Sequence, residues 1–219
     1  DSRGIAPAGR GAAGREGEVT TRHAYLEAFV ARLSDELVLT SVGATARELD
    51  ALAPRDGSLY RLHLGGTTAV ALGLALALPR RRVVAFDGDG GILMGLSILP
   101  VMGQYAPPNL TVIVFDNRLY EGGGRLPTLT ARGVDLVAIA VAAGIRGAIR
   151  VSDVQGFERA LDSTHWAGAA SFILAEAEPG TQAPYNAMDG TENKYRFIHH
   201  VEETEGVQVL QGPSRPSAR

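Results

Sequence analysis

Val83-Val84-Ala85-Phe86-Asp87-Gly88-Asp89-Gly90-Gly91 is the stretch that decides the fold. An apolar run led by two valines passes straight into a turn built only of Asp and Gly, and an apolar segment starting at Ile92 follows. Such a run reads as a strand buried on both faces of a parallel sheet, with a helix after the turn. Gly88, Gly90 and Gly91 let the backbone approach a phosphate closely, and the first turn of the helix presents free N–H groups to an anion. A carboxylate placed there repels a phosphate unless a divalent cation lies between them, and magnesium is held by one or two carboxylates together with phosphate oxygens. Asp89 suits that role. A turn in which Asp87 or Asp89 only caps the helix is the competing reading of the same residues.

Working outward, Leu110-Thr111-Val112-Ile113-Val114-Phe115-Asp116-Asn117 is a second strand that ends in polar residues. The 26 residues between Gly90 and Asn117 leave room for one helix and one return strand, so both turns reach the same sheet edge. Asn117 then offers a neutral oxygen near Asp89, and the carbonyl of Leu119 a further one. Seen alone, Asn-Arg after a strand is an ordinary turn; its pairing with the acidic glycine turn at this spacing favours a ligand.

The rest of the chain alternates in the same way. Helices are expected at Thr21–Ser34, Ala44–Leu52, Thr67–Leu78, Asp135–Ala143 and Val154–Ser163, and strands at Leu37–Ser41, near Tyr60–Leu62, near Ala148–Val151 and at Ser171–Glu176. The segment Ile92–Tyr105 is helical, with Pro100 either kinking it or capping a shorter helix. Gly43 and Gly65-Gly66 mark turns at the ends of the first two strands. Strands separated by helices imply right-handed crossovers and an α/β fold, a doubly wound, mostly parallel sheet with helices on both faces. Ligands in such sheets sit beyond the carboxyl ends of the strands, at the loops after Ser41, Leu62, Phe86 and Phe115.

Gly88-Asp89-Gly90, the spacer and Asp116-Asn117 together resemble the signature of thiamine-diphosphate enzymes. Ser41-Val42-Gly43-Ala44-Thr45-Ala46-Arg47-Glu48-Leu49, Leu72-Gly73-Leu74-Ala75-Leu76-Ala77, Leu93-Met94 and Pro108-Asn109-Leu110 are similar to the diphosphate-binding domain of phosphonopyruvate and sulfopyruvate decarboxylases. The resemblance covers about Leu37 to Glu176. It implies thiamine diphosphate and Mg as cofactors, with Asp89, Asn117 and the Leu119 carbonyl as metal ligands. It also places Gly43, Gly65, Gly66, Thr67, Gly88, Gly90, Gly91, Tyr120 and Glu121 around the cofactor. Two stretches depart from the family pattern. Gly65-Gly66-Thr67-Thr68 stands where the family has Gly-Ser-Met-Gly, and Gly122, Arg125 and Leu126 replace a Ser, a Gly and a Gln in the substrate-facing stretch.

In the family an activating glutamate comes from a separate pyrimidine-binding domain, so two α/β domains are needed, and a chain of 219 residues has room for one. The implied assembly is an αβ pair, as α2β2, with the cofactor across the interface. The expected layout is a disordered extension over 1–18, the diphosphate-binding domain over 19–180, an extension over 181–211 that packs on the domain or the partner, and a disordered tail over 212–219. The function implied is that of a lyase subunit acting on a small 2-oxo acid by non-oxidative decarboxylation, with carboligation as a second fate. A split acetolactate-synthase-like or transketolase-like ligase, or a regulatory subunit that keeps the fold, are the alternatives.

Bulk properties narrow the field. A net charge of −3 gives no electrostatic footprint for nucleic acid. Zero cysteines exclude disulfides and cysteine-ligated metal on this chain, and speak against a ferredoxin-linked oxidoreductase subunit. Runs such as Ala69 to Leu78 fall short of the roughly 20 apolar residues a membrane span requires, so a cytoplasmic protein without a membrane segment is expected. The start at Asp1, without an initiator Met or an apolar signal core, suggests a trimmed terminus. Four further groups invite a role. His63 and Glu121 are acid-base candidates beside the site, against packing and solvated-loop readings, and Arg125 is a planar fork for a substrate anion, against a solvated loop. His199-His200 suits a charged helical surface or partner contact better than a metal cluster, and Trp166, beside His165, suits packing over a helix end.

Overall fold

The structure, a computed structural model, describes residues 20–164, 170–183 and 189–209. The 1–18 and 212–219 tails, His165 and Trp166 lie outside the described residues. Six parallel strands form the main sheet: β1 (Leu37–Ser41), β2 (Ser58–Leu62), β3 (Val83–Gly88), β4 (Leu110–Asp116), β7 (Gly147–Val151) and β8 (Ser171–Glu176), in the order β2-β1-β3-β4-β8-β7. A two-stranded antiparallel hairpin, β5 (Leu119–Tyr120) with β6 (Leu126–Pro127), follows β4. The helices are α1 (Arg22–Val30), α2 (Ala44–Leu52), α3 (Thr67–Ala77), α4 (Asp89–Met94), α5 (Ile98–Tyr105), α6 (Leu136–Ala142), α7 (Val154–Ser163) and α8 (Gly190–Glu205). The chain winds from β1 outward to β2, then returns across β1 to β3 and proceeds the other way, so the doubly wound sheet reverses between β1 and β3. That is where the strand ends splay and leave a crevice for a ligand.

Strand alternation builds two cores. Leu37, Leu39, Val83, Ala85, Val112, Val114, Phe172 and Leu174 point to the side covered by α3, α5, α6 and α8. Val38, Val84, Phe86, Ile113, Phe115, Ile173 and Ala175 point to the side covered by α1, α2 and α7. On that second side an aromatic chain ties α1 and α7 to the sheet. Phe29 meets Phe86 edge-on at 4.9 Å, Phe86 stacks on Phe115 at 5.7 Å, Phe115 on Tyr25 at 6.0 Å, and Tyr25 meets Phe157 at 5.2 Å. Because Phe86 and Phe115 lie at the carboxyl ends of β3 and β4, this chain stiffens the two strand ends that carry the polar turns.

Two expected helices depart from their expected bounds by more than a residue at an end, whereas α3 and α6 differ by one. The first stops at Val30 rather than Ser34, because the Ser34 N–H is taken by the Glu36 carboxylate at 2.7 Å instead of a helical carbonyl. The expected Ile92–Tyr105 helix is two pieces, α4 and α5. The break falls at Gly95, where a Cβ would overlap the Gly65 carbonyl, so the chain opens to pass the glycine turn after β2. Pro100 sits in the first turn of α5, where its missing N–H costs nothing. Beyond the expected elements, α8 packs Phe197 and Val201 into the first core and covers β2 at the sheet edge. Fully buried Asn193 accepts from Tyr60 N at 2.8 Å and donates to Ser58 O at 2.9 Å, satisfying edge groups that would otherwise lie unpaired beneath the helix. Among the described residues no helix is long and apolar enough to cross a membrane.

Candidate functional site

A cavity of about 700 Å³ opens at the reversal between β1 and β3. Its floor is Gly88, Asp89, Gly90 and Gly91 from the β3–α4 turn, and one wall is Ser41, Gly43, Ala44, Thr45 and Arg47 from the end of β1 and the start of α2. The facing wall is Asn117, Leu119, Tyr120, Glu121 and Arg125, from the end of β4 and the hairpin. The structure therefore brings Gly43, Gly88, Asp89, Gly90, Gly91, Asn117, Leu119, Tyr120 and Glu121 to one place. It does not bring the glycine turn after β2 there. Leu64 reaches the wall, but Gly65 packs against Met94 and Gly95, and Thr67 is fully buried with an unpartnered hydroxyl. His63 is exposed, its Nδ1 2.7 Å from Leu64 O, outside the cavity wall. A left-handed Arg61 and a register shift beside Ser41 distort the end of β2 and carry His63 off the expected line.

Each functional side chain is set by its strand. The β3–β4 register pairs Gly88 with Phe115, so Asp89 and Asp116 follow side by side at the sheet edge. Asp89 is buried, and Thr128 Oγ1 donates to its Oδ2 at 2.5 Å while Thr130 Oγ1 lies 3.0 Å from the same oxygen. Burial raises the Asp89 carboxyl to about 6, opposed by the Thr128 hydroxyl and reinforced by the nearby charge of Asp116. Asp87 points into the protein, where Gly88 N donates to it at 3.0 Å and Thr68 Oγ1 at 3.4 Å, and burial pushes it to about 7. Two neighbouring buried carboxyl groups that hold their protons more tightly than usual mark a place that stabilises added positive charge.

After β4, Arg118 adopts a left-handed conformation and Asn117 Oδ1 accepts from Leu119 N at 3.0 Å. This reversal sends the chain into the hairpin, whose tip spans Glu121 to Gly124. The hairpin was not expected from sequence, since two-residue strands carry almost no periodic signal; the Gly122-Gly123-Gly124 run between Tyr120 and Leu126 was the only mark. Glu121 is engaged rather than free. Its Oε2 lies 3.2 Å from Arg22 Nη1, and its Oε1 accepts from Gly180 N at 2.5 Å. Arg22 is itself buried and holds Glu48 through Nε at 3.1 Å, with Gly180 O accepting from Nη2. This Arg22–Glu48 network, invisible to local pattern because its members are far apart in sequence, fixes the hairpin tip against α1 and α2.

The cavity suits a diphosphate with its cation. A Cβ on Gly43, Gly88 or Gly122 would meet nothing within 4 Å, so these glycines leave room that any other residue would fill. Asp89, Asn117 and Leu119 line this cavity, and a carboxylate, an amide oxygen and a backbone carbonyl are donor types that would suit a cation that also takes phosphate oxygens. No group of three His, Asp or Glu side chains that could hold a metal ion occurs among the described residues, and the His199-His200 pair is no exception. His199 Nδ1 faces Glu202 at 3.3 Å, and His200 stands beside Arg81.

Residues 49–174 match the family model described as thiamine pyrophosphate enzyme, C-terminal TPP binding domain. The chain belongs to that family. As a TPP binding domain it is 35% identical over 170 residues to the phosphonopyruvate decarboxylase of Streptomyces viridochromogenes, covering 77% of this chain and 42% of that protein. The chain thus spans about two fifths of the length of that longer relative. It is also 35% identical over 178 residues to the sulfopyruvate decarboxylase subunit beta of Methanothermobacter thermautotrophicus, covering 80% of this chain and 92% of that one. Among solved structures, the thiamine diphosphate-dependent 4-hydroxybenzoylformate decarboxylase of Rhodococcus jostii RHA1 superposes with a TM-score of 0.62 at 25% identity, over 80% of this chain and 36% of that one. The doubly wound sheet of the TPP binding domain is the fold the sequence led one to expect.

Proposed function

We propose that this chain is the diphosphate- and magnesium-holding half of a thiamine-diphosphate-dependent decarboxylase acting on a 2-oxo acid, completed by a second chain that carries the pyrimidine-binding domain. The observation that carries the reading is the meeting of Asp89 and Asn117 on one glycine-floored cavity at the sheet reversal. Asp89, Asn117 and the Leu119 carbonyl hold the magnesium ion, and Gly43, Gly88, Gly90 and Gly91 leave room for the diphosphate. When bound, thiamine diphosphate supplies the nucleophilic carbon and the electron sink that decarboxylation of a 2-oxo acid requires. Tyr120 walls the site, and Glu121 braces the hairpin through Arg22. Arg47 and Arg125, on opposite walls, offer positive charge to the substrate's anionic groups; the Arg47 Nε is buried without a partner.

In this reading the chain assembles with its partner as α2β2, and two features support the existence of the partner. The relative matched over 92% of its length is named a subunit beta, whereas the longer relative has about as much chain again beyond the matched part. Apolar side chains are also exposed along the outer surface of α3, α4 and α5. Val70 and Leu76 on α3, Met94 on α4 and Val101 and Tyr105 on α5 are all more than two-fifths exposed. Residues 19–180 form the cofactor domain in this reading, with 181–211 as its extension.

Co-expression with a chain that carries the pyrimidine-binding domain, followed by assay of CO2 release from sulfopyruvate, phosphonopyruvate and pyruvate, tests the reading. Release that needs both chains, Mg2+ and thiamine diphosphate is expected. Full turnover by this chain alone would refute the half-site, and no release from any of the three acids would refute the activity.

A further inference from the structure

Thr128 and Thr130 had no place in the expectations from sequence, yet they touch the residue on which the metal site depends. Thr128 Oγ1 lies 2.5 Å from Asp89 Oδ2 and 2.8 Å from Thr130 Oγ1. Thr130 Oγ1 lies 3.0 Å from Asp89 Oδ2 and 2.8 Å from Asp116 Oδ1. All four side chains are buried. A hydroxyl has one proton to give, so two threonines supply two protons for these four close oxygen pairs. The remaining pairs set lone pair against lone pair beside two carboxylates, and the cluster is short of positive charge. A cation at Asp89 relieves that shortage.

Both threonine contacts to Asp89 fall on Oδ2, and among the described residues no side-chain hydrogen bond falls on Oδ1, while the Gly90 N–H also donates to the carboxylate. The side-chain contacts thus fix Oδ2 of a residue that lines the cavity. The two hydroxyls also belong to the segment that leaves the hairpin, and Thr128 N donates to Arg118 O at 3.0 Å to close the hairpin's base. The residues that orient Asp89 are therefore the same ones that anchor the wall carrying Leu119, Tyr120 and Glu121. Resting on the proposed metal site, we infer that Thr128 and Thr130 are positioning residues that hold Asp89 by Oδ2, turn Oδ1 to the ion, and link occupancy by the ion to the placement of the 119–127 hairpin. Partners that orient a ligand in this way change metal affinity by about tenfold to a hundredfold when removed.

The test uses the full chain with Mn2+ as the probe in the presence of thiamine diphosphate, read by electron paramagnetic resonance, and tryptic cleavage at Arg118, Arg125 and Arg132 as a second readout. Thr128→Val and Thr130→Val keep the branched shape and lose the hydroxyl; each is expected to weaken Mn2+ binding by about tenfold or more. Thr128→Ser, which restores the donor, is expected to recover most of it. Mn2+ is expected to slow cleavage within the hairpin in the wild type and in Thr128→Ser, and to have little effect in the valine variants. Folded valine variants that bind Mn2+ within twofold of wild type would overturn the inference and leave the metal site standing. Should Thr128→Val fail to fold, Thr130→Val and the serine variant carry the same comparison. A folded wild type that binds no Mn2+ would overturn the metal site and this inference with it.

Discussion

The ring of Tyr120 lies over Gly90 with no room for a methyl group between them. This contact presses the hairpin wall onto the acidic glycine turn. Gly90→Ala is therefore expected to push the ring outward and cost about 1–3 kcal/mol of stability, as overpacking does. In a Tyr120→Ala background the same change should cost much less, because the obstructing ring is gone. Urea unfolding of the four proteins of this cycle measures the coupling, and equal costs in both backgrounds would show that the ring does not exclude the methyl group.

The Arg22–Glu48 pair is a second brace, with both side chains nearly inaccessible at 5% and 1% exposure. Removing one partner of a buried pair leaves an uncompensated charge, at a cost of about 3–5 kcal/mol, whereas replacing both by apolar residues is often neutral. Arg22→Met should accordingly destabilise the chain far more than Arg22→Met with Glu48→Met. It should also loosen Glu121 and the hairpin tip, seen as faster amide exchange at Gly122 to Gly124.

Where one residue carries a strong local signal, the sequence announces the fold. The bounds of β1, α2, α7 and β8 are those read from the apolar runs and the Gly43 turn. The cavity's floor and the Asn117 wall were legible for the same reason. What was not legible depends on contacts between distant segments. The break at Gly95 exists because Gly65 crosses there, and His63 leaves the site because Arg61 turns left-handed. Thr128 and Thr130 matter only because Asp89 folds back to them. In α8 the buried positions are just Asn193, Phe197 and Val201 amid charged residues, so its apolar stripe is thin, although Asp189 and Gly206 marked its ends.

That thin stripe makes Asn193 important to how α8 holds the sheet edge. Asn193→Leu keeps the volume and strands the Tyr60 N–H and Ser58 carbonyl in a buried place, each costing about 1–3 kcal/mol. A large drop in urea midpoint is expected, with early exchange of the Tyr60 amide. Unchanged protection at Tyr60 would contradict the clip.

Stability should also depend on pH through His200, far from the cavity. Burial, then the charges of Arg81 and Arg55, lower its pKa from the ordinary histidine value, with Asp56 and Glu203 partly opposing them. The folded state resists protonation while the unfolded chain takes a proton below pH of about 6.5. The unfolded state then binds more protons, so stability present above that pH is lost as pH falls through it. Thermal unfolding between pH 7.5 and 5.5 should show a shallower decline for His200→Gln than for wild type, and parallel declines would count against this origin.

The most direct test of the central claim is calorimetric titration of the folded full chain with thiamine diphosphate in the presence and absence of Mg2+, for the wild type, Asp89→Asn, Asn117→Ala and Asp87→Asn. The account predicts binding that requires Mg2+, is abolished by Asp89→Asn, is strongly weakened by Asn117→Ala and is only mildly changed by Asp87→Asn. Binding that is indifferent to Mg2+, or equally mild effects of all three substitutions, would contradict it.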